Sequence, residues 1–354
     1  MKVSLSGMLY HSGGYSELTR NLALVLDDLG VLSELHARDS KIFQQIPVTE
    51  FWSPEYQELH KRITAEKFYR GKSDVFIQFC PPFMFQPMPP DFRANVGFTM
   101  FETRMPEGWN EFVNKLSHLV VHDAFQARIL EHTKPKILPY WMPWVSEPTE
   151  TPFNPAYCAP NFILTVGVAR VHKNQSKILQ AFNSLREEFP TLRLVVKAIT
   201  EDSEFDDYRR ALDTIPNVIV LPNTYSTAAM NMLYKRCAAY VSASMCEGLD
   251  MPAIKAALCG APVVAGRHTG HSSWIPSTHP SLETTPVDMS EIPNIHPRYR
   301  EKDMVGFDCT VEELTKHIRA ALMPETREQY LINLGNTFTR ETSRKYMESI
   351  LSHI

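Results

Sequence analysis

Short apolar runs alternate with helix-period segments along most of the chain, in two series parted by a proline-rich stretch. Strand, turn and helix in repetition lead to a parallel sheet covered on both faces, so the pattern constrains the chain to α/β class with two doubly wound, Rossmann-like domains. In the first series Lys2–Leu5 reads as a strand, Gly13 and Gly14 as a turn, and Leu18, Leu22, Val25 and Leu29 as one helix face ended by Gly30. Strands are then expected at Val31–Ala37, Val75–Phe79, Val96–Met100 and Leu119–Val121, with helices around Glu55–Tyr69, Trp109–Leu116 and Ala124–Thr133. The second series has strands at Phe162–Val168, Leu192–Ala198, Val218–Leu221, Ala239–Ala243 and Pro262–Ala265. Its helices are expected at Gln175–Glu188, Phe205–Leu212, Thr227–Arg236 and Pro252–Cys259. Arg267–Asp308 reads as irregular, and helices near Val311–Leu322, Glu325–Leu334 and Arg340–Ile354 close the chain.

Between the series lie Pro135, Pro139, Pro143, Pro148, Pro152, Pro155 and Pro160, which predict a stiff connector and domains at 1–150 and 151–337. A length of 354 residues suits about two domains. Two sheets joined this way are expected to face each other across a cleft at their carboxyl ends, where such sheets bind ligands. A formal charge of −4 gives no bulk attraction to nucleic acid, so no nucleic-acid partner is expected. No apolar run reaches the length of a spanning helix, and the opening MKVSLSGMLYHSGG reads as a strand rather than a signal peptide. The six scattered cysteines form no CxxC pair, which points to a reducing, cytoplasmic compartment.

The stretch SASMCEGLDMPAIKAALCGAPVVA (Ser242–Ala265) carries the strongest chemical signal. A strand ends, a loop presents Glu247 and Gly248, and a helix starts near Pro252, so the N–H groups of Leu249, Asp250 and Met251 lie at a helix N-terminus suited to a phosphate or sugar hydroxyl. Glu247 either accepts hydrogen bonds from a sugar or simply complements that helix end. Asp123 reads as a helix N-cap. His268, His271, His279 and His296 lack metal-ligand spacing, and no DxD occurs, so no metal is expected. The basic run His60–Lys72 either touches anionic headgroups, giving a weak peripheral membrane contact, or is a solvated helix face.

The same stretch resembles the EGFGLPxLEAMxxGxPVV signature of retaining GT-B glycosyltransferases of family four. FILTVGVARVHKNQSKILQAF resembles the first strand, loop and helix of their donor domain, and GGYSELTRNLALVLDDLG the glycine loop and first helix of their acceptor domain. FETRMPEGWNEFV is similar to a segment of many members, and FTRETSRKYMESIL to the final helix, here 338–354, that crosses back to the first domain. The resemblance implies a nucleotide-diphosphate sugar (UDP- or GDP-) as donor substrate without a separate cofactor. It further implies a glycan, lipid-linked or small-molecule hydroxyl as acceptor, and hinge closure about the connector. By the same resemblance Lys173 and Arg170 neutralise the diphosphate, Gly14 lets the first loop approach it, and the 248–251 backbone adds donors. Glu247 then holds the transferring sugar.

Five positions depart from the family pattern, one of them, Ser16 in the first glycine loop, only mildly. Lys255 replaces a signature glutamate that binds the ribose, and Asp250 replaces a signature glycine. Val168 stands where the family has arginine, with Arg170 two residues on, and Glu102 replaces a histidine near the reacting carbon, where it either serves an acceptor hydroxyl or, as a helix-start residue, bonds nearby backbone N–H groups. Lys255, Val168 and Asp250 together keep open a catalytically weak GT-B scaffold that binds sugar or a protein. A nucleotide-binding oxidoreductase is disfavoured because no GxGxxG follows a strand.

Overall fold

The computed structural model describes residues 1–11, 13–39, 52–65, 73–138, 141–145, 161–199, 212, 214–301 and 304–354. The connector prolines Pro139, Pro148, Pro152, Pro155 and Pro160, the helix expected at Phe205–Leu212 apart from Leu212, and residues 66–72 of the basic run lie outside them. The chain divides into two compact units, one of Met1–Phe101, Met105–Ser146 and Gly335–Ile354, the other of Glu102–Arg104 and Glu147–Leu334.

The first unit opens with β1 (Val3–Gly7), α1 (Gly14–Asp28), β2 (Leu32–Ala37), α2 (Pro54–Ala65) and β3 (Val75–Phe79). It continues with β4 (Ala94–Phe98), α3 (Asn110–Val113), β5 (His118–Val120), α4 (Ala124–Ile129) and β6 (Lys136–Ile137). All six strands are parallel, in the order β2-β1-β3-β4-β5-β6. Helix α1 is buried from Leu18 to Leu26, polar residues included, which places it under cover on more than the one face its periodicity predicts. Gly30, at φ +67°, ends it: the Gly30 N–H bonds the Asp27 carbonyl and the Val31 N–H reaches back to Leu26, the paired bonds of a Schellman stop. Asp123 caps α4 by accepting from the Gln126 N–H at 2.8 Å.

The second unit contains β7 (Phe162–Val168), α5 (Gln175–Leu185), β8 (Arg193–Ile199), β9 (Val218–Leu221), α6 (Thr227–Arg236), β10 (Ala239–Ser242), α7 (Met251–Leu258) and β11 (Val263–Ala265). These strands are parallel in the order β11-β10-β7-β8-β9. The strand order reverses between β7 and β10, and the carboxyl side of such a switch point is where open α/β sheets bind ligands. Gly260, at φ +75°, closes α7 with the same pair of bonds that Gly30 makes in α1.

Three expectations need correction. The region Arg267–Asp308 is not irregular throughout: β12 (Thr285–Asp288) and β13 (Val305–Asp308) form an antiparallel ribbon. Beneath the ribbon Met245, Cys246, Met289, Ile295, Tyr299 and Met304 make a small core of their own. After α8 (Val311–Leu322), the helix expected at Glu325–Leu334 is a single turn, α9 (Pro324–Arg327), and a 3-10 turn to Tyr330. Trp109–Leu116 likewise yields only a 3-10 turn and the four-residue α3. Local periodicity in both cases lacks the length that helix propagation needs. The final helix α10 (Arg340–Ser352) packs on α1, where Arg340 holds Asp28 at 2.6 Å and Glu55 at 2.8 Å. Among the described residues no helix is long and apolar enough to cross a membrane.

Candidate active site

Both loops of the β7/β10 switch point bring a charge to the same place. After β7 a 3-10 turn, Val171–Lys173, ends at Asn174 in the left-handed region (φ 52°), and this turns Lys173 back over the strand end past Gly167. After β10 the loop 243–250 carries Glu247. Lys173 Nζ meets Glu247 Oε1 at 2.5 Å, with both side chains largely buried. Burial alone works against the lysine charge, but the Glu247 and Glu102 carboxylates outweigh it and hold the ammonium well above its ordinary pKa. Burial pushes the Glu247 carboxyl up, Lys173 pulls it down, and Asp250 and Glu102 reinforce the upward direction. Only Oε1 of Glu247 is engaged; no described group bonds Oε2.

The loop is clamped from the segment after β11. Thr269 Oγ1 accepts from the Glu247 N–H at 3.0 Å, the Gly270 N–H donates to the Glu247 carbonyl at 2.9 Å, and Trp274 Nε1 donates to the Leu249 carbonyl at 2.9 Å. A methyl group at Gly270 would lie 2.2 Å from the Gly248 carbonyl oxygen, so this close approach requires glycine. The loop also ties to its neighbour through the Met245 N–H, which donates to the His172 carbonyl.

Asp250 occupies a left-handed conformation (φ 61°, ψ 65°) that a glycine would adopt freely. Its side chain explains how a carboxylate is tolerated there. Oδ1 caps α7 through the Ala253 N–H at 3.2 Å, and Oδ2 accepts from Ser242 Oγ at 2.7 Å and from His271 Nε2 at 2.8 Å. Burial would raise its pKa, but the hydrogen bonds from His271 and Ser242 and the nearby Lys173 charge bring it below the ordinary carboxylate value. Pro252 is the second residue of α7, and Gly248, Leu249 and Met251 are buried around its start. Lys255 is half-buried in the last turn of α7. Arg170 caps the 3-10 turn through its backbone, and its guanidinium has no hydrogen-bond or ion-pair partner among the described residues. Gly14 is the first residue of α1, at the carboxyl end of β1 in the first unit.

Glu102 belongs to the second unit, where Arg298 Nη2 donates to its Oε2 at 2.6 Å and the Tyr299 hydroxyl donates to the same oxygen. Oε1 takes no bond from a described group. The His172 ring rests 4.8 Å from the Tyr299 ring. Thr269, Gly270, His271, Trp274, Arg298 and Tyr299 were all missed as site residues; four histidines in the region 267–308 were its one visible signal. Of those histidines only His268 and His271 meet, their rings edge to face at 5.5 Å. His271 serves Asp250, His268 stacks on Phe307 at 5.0 Å, and His279 bonds the Val263 carbonyl. Among the described residues no group of three His, Cys, Asp or Glu side chains is placed to hold a metal. In the basic run, Arg62 pairs with Asp27 at 2.6 Å and the His60 ring packs tilted against Trp52 at 4.8 Å, so both have partners within the first unit.

Residues 147–279 match the family model Glycosyl transferases group 1. This stretch is a glycosyl transferases group 1 domain. It contains Lys173, Glu247, Asp250 and His271, whereas Arg298 and Tyr299 lie beyond it. Among solved structures, HepE of Anabaena in complex with UDP-glucose is 13% identical, with 100% of both chains covered and a TM-score of 0.63. Sucrose-phosphate synthase of Thermosynechococcus elongatus is 11% identical over 99% of this chain and 94% of that one, with a TM-score of 0.59. TarM of S. aureus is 13% identical over 79% of this chain, with a TM-score of 0.52, and this chain spans only 55% of its length. At such identities the likeness shows the fold, which is that of GT-B glycosyltransferases. No curated protein sequence matches the chain significantly.

Proposed function

We propose that the protein is a glycosyltransferase that moves a sugar from a nucleotide-diphosphate sugar to a hydroxyl of a glycan, lipid-linked or small-molecule acceptor, with retention at the anomeric carbon and without a metal. The carrying observation is the buried Lys173–Glu247 pair at the switch point of a glycosyl transferases group 1 domain, with one carboxylate oxygen fixed and the other left to accept. When the glycosidic bond breaks, its electron pair leaves with the diphosphate. Lys173 and Arg170 offset that charge, and the 248–251 backbone adds donors. Glu247 Oε2 accepts from a hydroxyl of the transferring sugar and stabilises the positive charge growing at its reacting carbon. Glu102 Oε1 serves the acceptor hydroxyl, its partner oxygen being held by Arg298 and Tyr299. Gly14 is assigned to the approach of the first glycine loop, and Lys255 to the nucleotide end of the donor.

UDP-sugars are the first choice of donor, because HepE was solved with UDP-glucose on the same fold. A cytoplasmic site of action agrees with the described cysteines, all of which are free thiols. A melting-temperature screen against UDP, GDP and their sugars tests the reading. A ligand at 100 times its Kd stabilises by about 2.7 kcal/mol, so the correct nucleotide will stand out. No response to any nucleoside diphosphate would contradict it.

A further inference from the structure

In the first unit, the sheet face turned away from α1 is built of polar residues. A methyl group at Gly7 would strike Thr19 of α1, so Val3, Leu5 and Gly7 look toward that helix and Ser4 and Ser6 look the other way. In register with Ser4 and Ser6 on that second face stand Phe76 and Gln78 of β3, and Glu34 and His36 of β2. A parallel sheet covered on both faces is ordinarily apolar on both. Here the second face floors a cavity of about 1050 Å³, with Ser4, Ser6, Arg38, Phe76, Phe83 and Phe92 among its walls.

Two groups in this cavity lack the partners that burial or charge demands. The Ser4 hydroxyl is fully buried and makes no hydrogen bond. Arg38 is held rigidly by neutral acceptors, Nε on Ser6 Oγ at 2.6 Å and Nη2 on Gln78 Oε1 at 2.8 Å. These bonds occupy two of its five N–H donors, and no described carboxylate pairs with it. The adjacent Asp39 is taken by the Leu9, Tyr10 and His11 backbone N–H groups. Glu34, also in the wall, is paired with His36 at 3.3 Å; Asp91 stands at the rim, and Lys115 lies over the Phe112 ring at 4.3 Å.

We propose that this cavity is a second ligand site, separate from the β7/β10 site, for a sugar that carries a carboxylate or phosphate. A planar fork fixed by neutral groups is suited to an oxyanion. The exposed Phe83 ring and the half-buried Phe92 ring in the walls match the apolar C–H face of a sugar ring. The site belongs to the first unit alone, so it does not depend on the transfer reading.

Calorimetric titration with glucuronate, glucose 6-phosphate, glucose, inorganic phosphate and UDP tests it. At least one of the two acidic sugars should bind at least ten-fold more tightly than either glucose or inorganic phosphate, the better one identifying the anion, and saturating UDP should leave that binding unchanged. Arg38→Met should reduce it at least ten-fold. Phe83→Ala, at a side chain 48% exposed, should weaken it several-fold without lowering the melting temperature. No binding of either acidic sugar, equal binding of glucose or of phosphate alone, displacement by UDP, or indifference to Phe83→Ala would overturn the proposal.

Discussion

Lys173 and Arg38 are both cations held against a parallel sheet, yet their surroundings differ in kind. Lys173 sits in a network where cation meets carboxylate, Lys173 with Glu247 and Arg298 with Glu102, and where the His271 ring hydrogen-bonds Asp250. Arg38 is fixed by a serine and a glutamine. In the first setting each cation already has its carboxylate, so a ligand joins a formed network rather than meeting a cation held only by neutral groups. In the second no described carboxylate meets the positive charge, and an oxyanion of the right shape adds to it. Paired charges also commit the second unit to a particular arrangement, because removing one partner strands the other in a dry place.

That contrast can be broken first at Asp250. Asp250→Ala leaves His271 and Ser242 without their acceptor and is expected to destabilise the protein by about 1–3 kcal/mol for each group left unsatisfied, measured by denaturant unfolding. Alanine also carries a left-handed backbone penalty of about 1–2 kcal/mol, so Asp250→Gly should lose measurably less. Equal losses would mean that the backbone conformation relaxes.

Acid should expose the neutral side of both units. Burial lowers His122 to about 4 and His268 to about 3. Both are neutral in the fold and gain a proton on unfolding, so their stabilisation is complete above the unfolded value of about 6.5 and is lost as pH falls below it. For His122 the difference amounts to about 3 kcal/mol, and His122→Gln should flatten the decline of stability between pH 6.5 and pH 4. Asp250, whose pKa is lowered, adds a loss in the same direction only below the ordinary carboxylate value of about 4. The smallest effect belongs to the half-exposed cluster of Arg340 with Asp28 and Glu55. Arg340→Ala should cost no more than about 1 kcal/mol and shrink further in high salt.

Much of this architecture was legible in the sequence wherever a local rule governs it. Gly30 and Gly260 stop their helices by the same mechanism, and Asp123 caps α4, because positive φ and cap hydrogen bonds depend on one or two residues. The ribbon β12–β13 was not legible, since Thr285–Asp288 and Val305–Asp308 pair across sixteen intervening residues and have no alternating pattern. The role of Asp250 was half legible. Its position beside the expected phosphates followed from the strand–loop–helix pattern, but its partner His271 lies 21 residues away in a region without periodicity. Arg38 was not legible for the opposite reason: an arginine bonded to neutral groups looks like any other in a sequence, and only the fold shows that its described hydrogen-bond partners are Ser6 and Gln78.

The most direct test is Glu247→Ala, with transfer and nucleotide binding measured on the same preparation. Turnover should fall by about a hundred-fold or more while UDP or GDP binding stays within a few-fold, because Glu247 is assigned to the sugar and Lys173 to the diphosphate. Full activity in that variant, or a loss of nucleotide binding as large as the loss of turnover, would contradict the assignment.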